Sequence, residues 1–232
     1  GGFPVLVENT YYESADAYRG WLSHNRVLMG YDANNLYFYD SLLGNGDGDG
    51  RAFTLDDFDS RWLPFNRDYL VIYAPDQEEA LQVILGDNWD EATHWENVLV
   101  QAEGDIARLV SPPEKAFATM NKGVALLMLN DPEGAAAAFD EGIRLGLPWR
   151  YFWYDFSVFE AYLQVGRYDD LVQLAQITLS STRGIEELYY YLGKARQARG
   201  ELTLARGNYE VAVYRNSNFA EAIEALASLN AP

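Results

Sequence analysis

The stretch that decides the fold runs Lys122-Gly123-Val124 and on to Gly134-Ala135-Ala136-Ala137-Ala138-Phe139. Small residues at 123 and 135 let two antiparallel helices approach where they cross. The ring at 139 fills the gap toward the next unit. The pattern returns twice. Gly166-Arg167-Tyr168, with Leu171 and Ala175, repeats its second half, and Leu192-Gly193, Gly200, Ala205, Tyr209 and Ala212 give a fuller copy. Copies beginning at Ala116, Phe152 and Glu186 are spaced by 36 and 34 residues, the longer spacing falling at Gly146-Leu147-Pro148, where a loop takes up the difference.

A period near 34 residues with these small and aromatic positions is that of tetratricopeptide repeats. One helical hairpin cannot bury its apolar face alone, so three in series plus a terminal capping helix, Asn218 to Leu229, form a workable unit. An ordinary helical bundle would not need the spaced triplet. Residues 116–232 therefore read as an all-α array.

Upstream the periodicity changes. Residues 1–75 alternate in a β manner at Val5–Val7, Asn25–Tyr31, Leu36–Asp40 and Asp68–Tyr73, with Asp32-Ala33-Asn34-Asn35 as a hairpin turn. Thr54, with Asp57 three residues on, signals the start of a short helix to Trp62. This is an α+β segment with a largely antiparallel sheet. Residues 76–115 read as connecting helices, Asp76–Leu85 and Trp89–Leu109, punctuated by Ser111-Pro112-Pro113.

Composition narrows the function classes. Hydrophobic residues make up 49% and charged residues 22%, a globular balance, and no run is long and apolar enough for a membrane helix. The net charge of −18 repels phosphate backbones and anionic lipid, which argues against nucleic acid and membrane insertion and favours basic partners or cations. There is no cysteine, hence no disulfide, thiolate zinc site or cysteine nucleophile in this sequence. The opening Gly1-Gly2-Phe3-Pro4-Val5-Leu6-Val7 reads as a strand entered midway, which leads us to expect a processed or truncated product.

His24, at the start of one hairpin strand, and Asp40, at the end of the next, can meet across the pair, a geometry in which a carboxylate holds an imidazole in one tautomer. Taken alone, such a pair is more often structural than catalytic. The stretch His24-x-x-x-x-x-Gly30-Tyr31-Asp32, then Tyr39-Asp40-Ser41 and Phe65-Asn66-Arg67-Asp68-Tyr69-Leu70-Val71-Ile72-Tyr73, resembles the C-terminal half of papain-fold peptidases related to bacteriocin-leader-processing enzymes. Gly146-Leu147-Pro148-Trp149-Arg150 and Val165-Gly166-Arg167-Tyr168-Asp169-Asp170 extend the resemblance to bacterial envelope proteins that join such a domain to tetratricopeptide repeats. It implies that His24 matches a general base and Asp40 its orienting partner. It also implies a cysteine from an earlier segment, which this sequence lacks, so the pair reads as a relic.

A second candidate is the loop Asn45-Gly46-Asp47-Gly48-Asp49-Gly50-Arg51, followed by Asp56. Oxygen donors at the first, third, fifth and twelfth positions, with the Arg51 carbonyl at the seventh, match the spacing of an EF-hand-type calcium loop. Asn45 in place of an acid, Asp56 in place of Glu and the lack of an entering helix favour a solvated hairpin tip. No cofactor is required, and calcium is the one ion to consider. The third candidate is a peptide groove. By resemblance to tetratricopeptide arrays, Trp153, Phe156, Glu160, Tyr190, Lys194 and Gln197 are expected on the concave surface. The matching first-repeat residues Phe117, Met120, Val124 and Leu127 are all apolar and are expected to lie under the connecting helix or the α/β segment.

The leading reading is a non-enzymatic interaction or scaffold protein outside the cytoplasm. Its partner is a protein or peptide, or a second copy, for which an unpaired edge at Val5–Val7 is a candidate template. The alternative is a cysteine peptidase, or a peptide-binding relative of one, whose nucleophile comes from a segment not present in this sequence.

Overall fold

A computed structural model describes residues 2–11, 21–44 and 50–229. Five strands, β1 (Val5–Tyr11), β2 (Leu22–Tyr31), β3 (Asn35–Asp40), β4 (Arg51–Thr54) and β5 (Tyr69–Val71), form one antiparallel sheet in the order β4-β3-β2-β1-β5. Alternation turns Val7 and Phe38 toward Phe58 of α1 (Leu55–Trp62), and the Phe38 and Phe58 rings stack at 4.5 Å. The expected turn is closed by Asp32, whose Oδ1 accepts from the Asn34 and Asn35 N–H groups. The helix start also falls as expected, with Thr54 Oγ1 accepting from the Asp57 N–H at 3.2 Å.

Two expectations are corrected. The sequence reading has no strand at Arg51–Thr54, and Val5–Val7 is not an open edge. β1 is paired on both sides, by β2 and by β5, because Tyr69–Val71 return antiparallel to it.

Two connecting helices follow, α2 (Glu78–Leu85) and α3 (Glu91–Arg108), the latter capped by Asp90 Oδ1 accepting from the Thr93 N–H. Three hairpins come next: α4 (Pro112–Met128) with α5 (Pro132–Leu145), α6 (Ser157–Gln164) with α7 (Tyr168–Ser181), and α8 (Glu186–Ala198) with α9 (Leu202–Arg215). A capping helix α10 (Ala220–Ser228) closes the series.

The small positions do what their spacing implies. A Cβ on Gly123 would stand 2.4 Å from the Phe139 ring, and one on Gly193 would stand 2.3 Å from the Tyr209 ring. The middle hairpin inverts the arrangement. At the register position of Gly123 and Gly193 it carries Phe159, and at that of Phe139 and Tyr209 it carries Ala175, both fully buried. The large and small partners have exchanged helices.

The sheet and the array share a core. Trp21 stacks on Phe65 at 5.3 Å and on Phe117 at 5.9 Å, and meets Tyr154 edge-on at 5.5 Å. The buried Asn121 donates from Nδ2 to the Leu63 carbonyl at 2.8 Å. Thus Phe117 and Met120 are buried, as expected, with Ile106 and Leu109 of the connecting region packed on the same core. Arg67 adds an ionic tie, reaching Asp59 of α1 at 2.5 Å and Asp105 of α3 at 2.8 Å. Asn66 and Arg67 both hold left-handed backbone, at φ 54° and 56°, which orients this junction.

Candidate binding cleft

Where the sheet meets the helical hairpins, a cleft of about 450 Å³ opens. Its helical wall comes from the first helices of all three hairpins: Val124 and Leu127 on α4, Glu160 on α6, Tyr191 on α8. Phe156 lies at the lip of α6. Opposite stand Glu8 of β1 and Trp21, Phe65, Asn66 and Asp68 from the segments flanking the sheet. Tyr154 and Asp155 close the side. A larger hollow of about 720 Å³ on the outer side, between α3, α4 and α5, is shallower and carries both signs of charge, including the Lys122–Glu103 pair.

Among the described residues the cleft carries charge of one sign. Glu8, Asp68, Asp155 and Glu160 line it, with no lysine, arginine or histidine among the described lining residues. Asp155 is held by the Tyr151 hydroxyl at 2.9 Å and the Ser157 N–H at 2.8 Å. Glu8 accepts from the Ser23 hydroxyl, and Glu160 accepts from Gln164 Nε2 at 2.9 Å. Asp68 is an exposed residue. Even so, desolvation of its carboxyl within the cleft, with Asp155 and Glu8 nearby, pushes its pKa up to about 6. Two buried donors also lack a partner among the described residues, the Trp21 indole N–H and Asn66 Nδ2, both on cleft-lining residues.

Of the six expected groove residues, Phe156 and Glu160 line the cleft. Trp153 does not. It lies in a 3-10 turn, its indole N–H donating to Ser181 Oγ at 3.3 Å and its ring edge-on to Trp149. The Asp155 carboxylate, accepting from the Ser157 N–H, starts α6 at Ser157, so a helical phase carried back to 153 does not apply. Tyr190 packs on Tyr209 and Phe219, and its neighbour Tyr191 faces the cleft instead. Gln197 accepts from the Tyr209 hydroxyl at 2.7 Å, and Lys194 is not among the lining residues. Val124 and Leu127, expected to be covered, form part of the wall. Sequence reasoning missed Glu8, Trp21, Asp68, Tyr154 and Asp155. Their only signal was the acid-and-aromatic composition of four separate segments.

His24 and Asp40 do meet, His24 Nε2 lying 2.9 Å from Asp40 Oδ1. Asp40 Oδ2 accepts from the buried Arg26 Nε at 2.7 Å, and Arg26 also donates to Asn9 Oδ1. Burial works to raise the Asp40 carboxyl. Hydrogen bonds from the Leu43 N–H, His24, Arg26 and the Leu42 N–H outweigh it and hold the group far below the usual carboxylate range. By register, Asn9 faces His24 and Arg26 faces Asp40, whereas Glu8 points the other way. The network and the cleft are therefore on opposite faces of the sheet.

Of the calcium-loop candidates, Asn45, Asp47 and Asp49 lie outside the described residues. Arg51 sits in β4 with its guanidinium on the Gly44 and Leu43 carbonyls, and Asp56 is exposed in the first turn of α1. Among the described residues no group of three or more His, Asp or Glu side chains could hold a metal ion, and no helix is long and apolar enough to cross a membrane.

No family model matches the chain, and comparison with curated proteins returns no match. Among solved structures, one titled "Crystal structure of MamA", a tetratricopeptide-repeat protein, superposes with a TM-score of 0.51 at 13% identity, covering 68% of this chain and 84% of that one. A second, "MamA MSR-1 C2", has a TM-score of 0.48 at 16% identity, covering 66% of this chain and 86% of that one. This chain contains a tetratricopeptide-type helical array. The likeness is one of fold.

Proposed function

We propose that the chain is a protein-interaction module, with no catalysis of its own, whose concave helical face takes a segment of a partner protein. One observation carries the reading: the first helices of all three hairpins and the sheet converge on a single concave, aromatic-lined cleft. Concave, largely apolar surfaces with a few convergent polar groups are where ligands bind. In this reading the Asn9–Arg26–Asp40–His24 network ties three strands together, and the module works in the cell envelope or outside the cell, on another protein or a second copy of itself.

Selection from a random displayed-peptide pool tests it. Peptides enriched on the wild-type chain should lose binding to Phe156→Ser and Tyr191→Ala. Equal binding to both variants, with their helical circular dichroism intact, overturns the reading.

The short His24–Asp40 contact favours a second reading, in which the sheet segment is half of a papain-like peptidase and His24 serves a cysteine from another segment. A thiol-directed activity probe that labels a longer, cysteine-bearing form only when His24 is present would support it; labelling that survives His24→Ala would sink it. Weak calcium binding at 45–56 is a separate proposal, removed by a calorimetric titration that shows no heat at millimolar calcium.

A further inference from the structure

We propose that the cleft is specific for a lysine or arginine side chain presented by a partner peptide, with the cationic head among Glu8, Asp68 and Asp155 and the stem against the Phe65 and Tyr154 rings. This rests on the cleft being a peptide site and names what kind of peptide it takes.

Three observations converge. The first is charge: four carboxylates and, among the described residues, no cation line the cleft. Asp155 and Glu8 have hydrogen-bond donors of their own, but no side chain among the described residues donates to the Asp68 carboxylate. Arg67, its chain neighbour, is committed to Asp59 and Asp105. No described residue supplies Asp68 with a positive partner.

The second is shape. The carboxylates share the cleft with the partly buried Phe65, Tyr154, Phe156 and Tyr191 side chains, apolar surface that suits the alkyl stem of a long basic side chain.

The third observation separates a peptide from other cations. Trp21 is only 6% exposed, and its indole N–H has no partner among the described residues; Asn66 Nδ2 is likewise buried and unpaired among them. Both are donors, and leaving buried donors unpaired is costly. A ligand that pairs them must bring acceptors as well as a positive charge. A peptide supplies both through its carbonyls, whereas a metal ion or a polyamine supplies charge alone.

Asp68 also makes the site sensitive to pH. It faces Glu8 from β1, Asp155 from the segment before α6 and the Tyr151 hydroxyl that donates to Asp155; Glu160 and Tyr191 lie further along the same wall. Its raised pKa means that acidification neutralises it, so affinity should fall as pH drops through about 6.

The test uses the full chain and four probes: a dye-labelled, end-blocked tetralysine peptide, its fully acetyl-lysine counterpart, a tetra-arginine peptide and spermine. Fluorescence anisotropy, with competition for spermine, should show both basic peptides binding, and acetyl-lysine and spermine at least about tenfold weaker, a difference of about 1.4 kcal/mol. Asp68→Asn should cost roughly tenfold, as should a shift from about pH 7.5 to about pH 5, and the pH effect should vanish in Asp68→Asn. Glu133→Gln, an exposed carboxylate elsewhere, should change little.

Equal losses from Glu133→Gln and Asp68→Asn would mean diffuse attraction to an acidic protein and overturn the proposal. Equal binding of the acetyl-lysine peptide, lost in Phe156→Ser, would overturn it while leaving the peptide cleft standing. No binding by either basic peptide, when displayed peptides do bind through Phe156, would also overturn it.

Discussion

Asp68 shows what a single residue gives up for a site. Its folded-state pKa, about 6, lies above the ordinary Asp value of 3.8. Between those two values the folded state holds more protons than the unfolded one, so stability falls as pH rises through this window and the penalty is complete above about 6. Asp68→Asn should therefore raise the melting temperature at about pH 7.5, add little at about pH 4, and flatten the pH dependence between them. Thermal melts at stepped pH check this, and an unchanged or lower melting temperature at neutral pH would contradict it. The variant more stable at neutral pH should be the poorer binder, as is common where function holds an unfavourable charge in place.

At the scale of elements, the middle hairpin shows that the repeat conserves volume across the helix crossing rather than identity at each position. Phe159 and Ala175 reverse the Gly123–Phe139 and Gly193–Tyr209 order. Gly123→Ala places a methyl group against the buried Phe139 ring and should destabilise by about 1–3 kcal/mol. The double change Gly123→Phe with Phe139→Ala, which copies the middle hairpin, should recover part of what Gly123→Phe alone loses. Urea unfolding with a double-mutant cycle measures the coupling, and strict additivity would show that the two positions do not exchange.

The same scale explains what the sequence revealed. Helical repeats were legible because Gly123, Phe139, Gly193 and Tyr209 recur at fixed spacing and act on near neighbours. The strand at Arg51–Thr54 was not, because four residues hold too few alternations to show a period. Trp153 was misplaced by one local event, the hydrogen bond from the Ser157 N–H to Asp155 that starts α6. The His24–Asp40 contact was readable because one hairpin register fixes it. The cleft was not, since residues 8, 21, 68, 124, 155 and 191 share no local pattern and meet only through packing.

In the whole molecule, Trp21 and Leu63–Phe65, from the segments flanking the sheet, pack on α4 at the amino-terminal end of the array, as α10 packs on α9 of the last hairpin. Trp21 is the pin, wedged among Phe65, Phe117, Tyr151 and Tyr154. Those rings are far apart along the chain, whereas each hairpin closes on residues close by, and this separation sets a sequence in time. Contacts that need little loop closure form first. The hairpins should assemble early and offer a finished socket into which Trp21 drops late. In stopped-flow refolding, the helical far-ultraviolet signal should then lead the part of the tryptophan fluorescence change that Trp21→Phe abolishes. A Trp21-dependent change coincident with helix formation would mean instead that the sheet and the array condense in a single step.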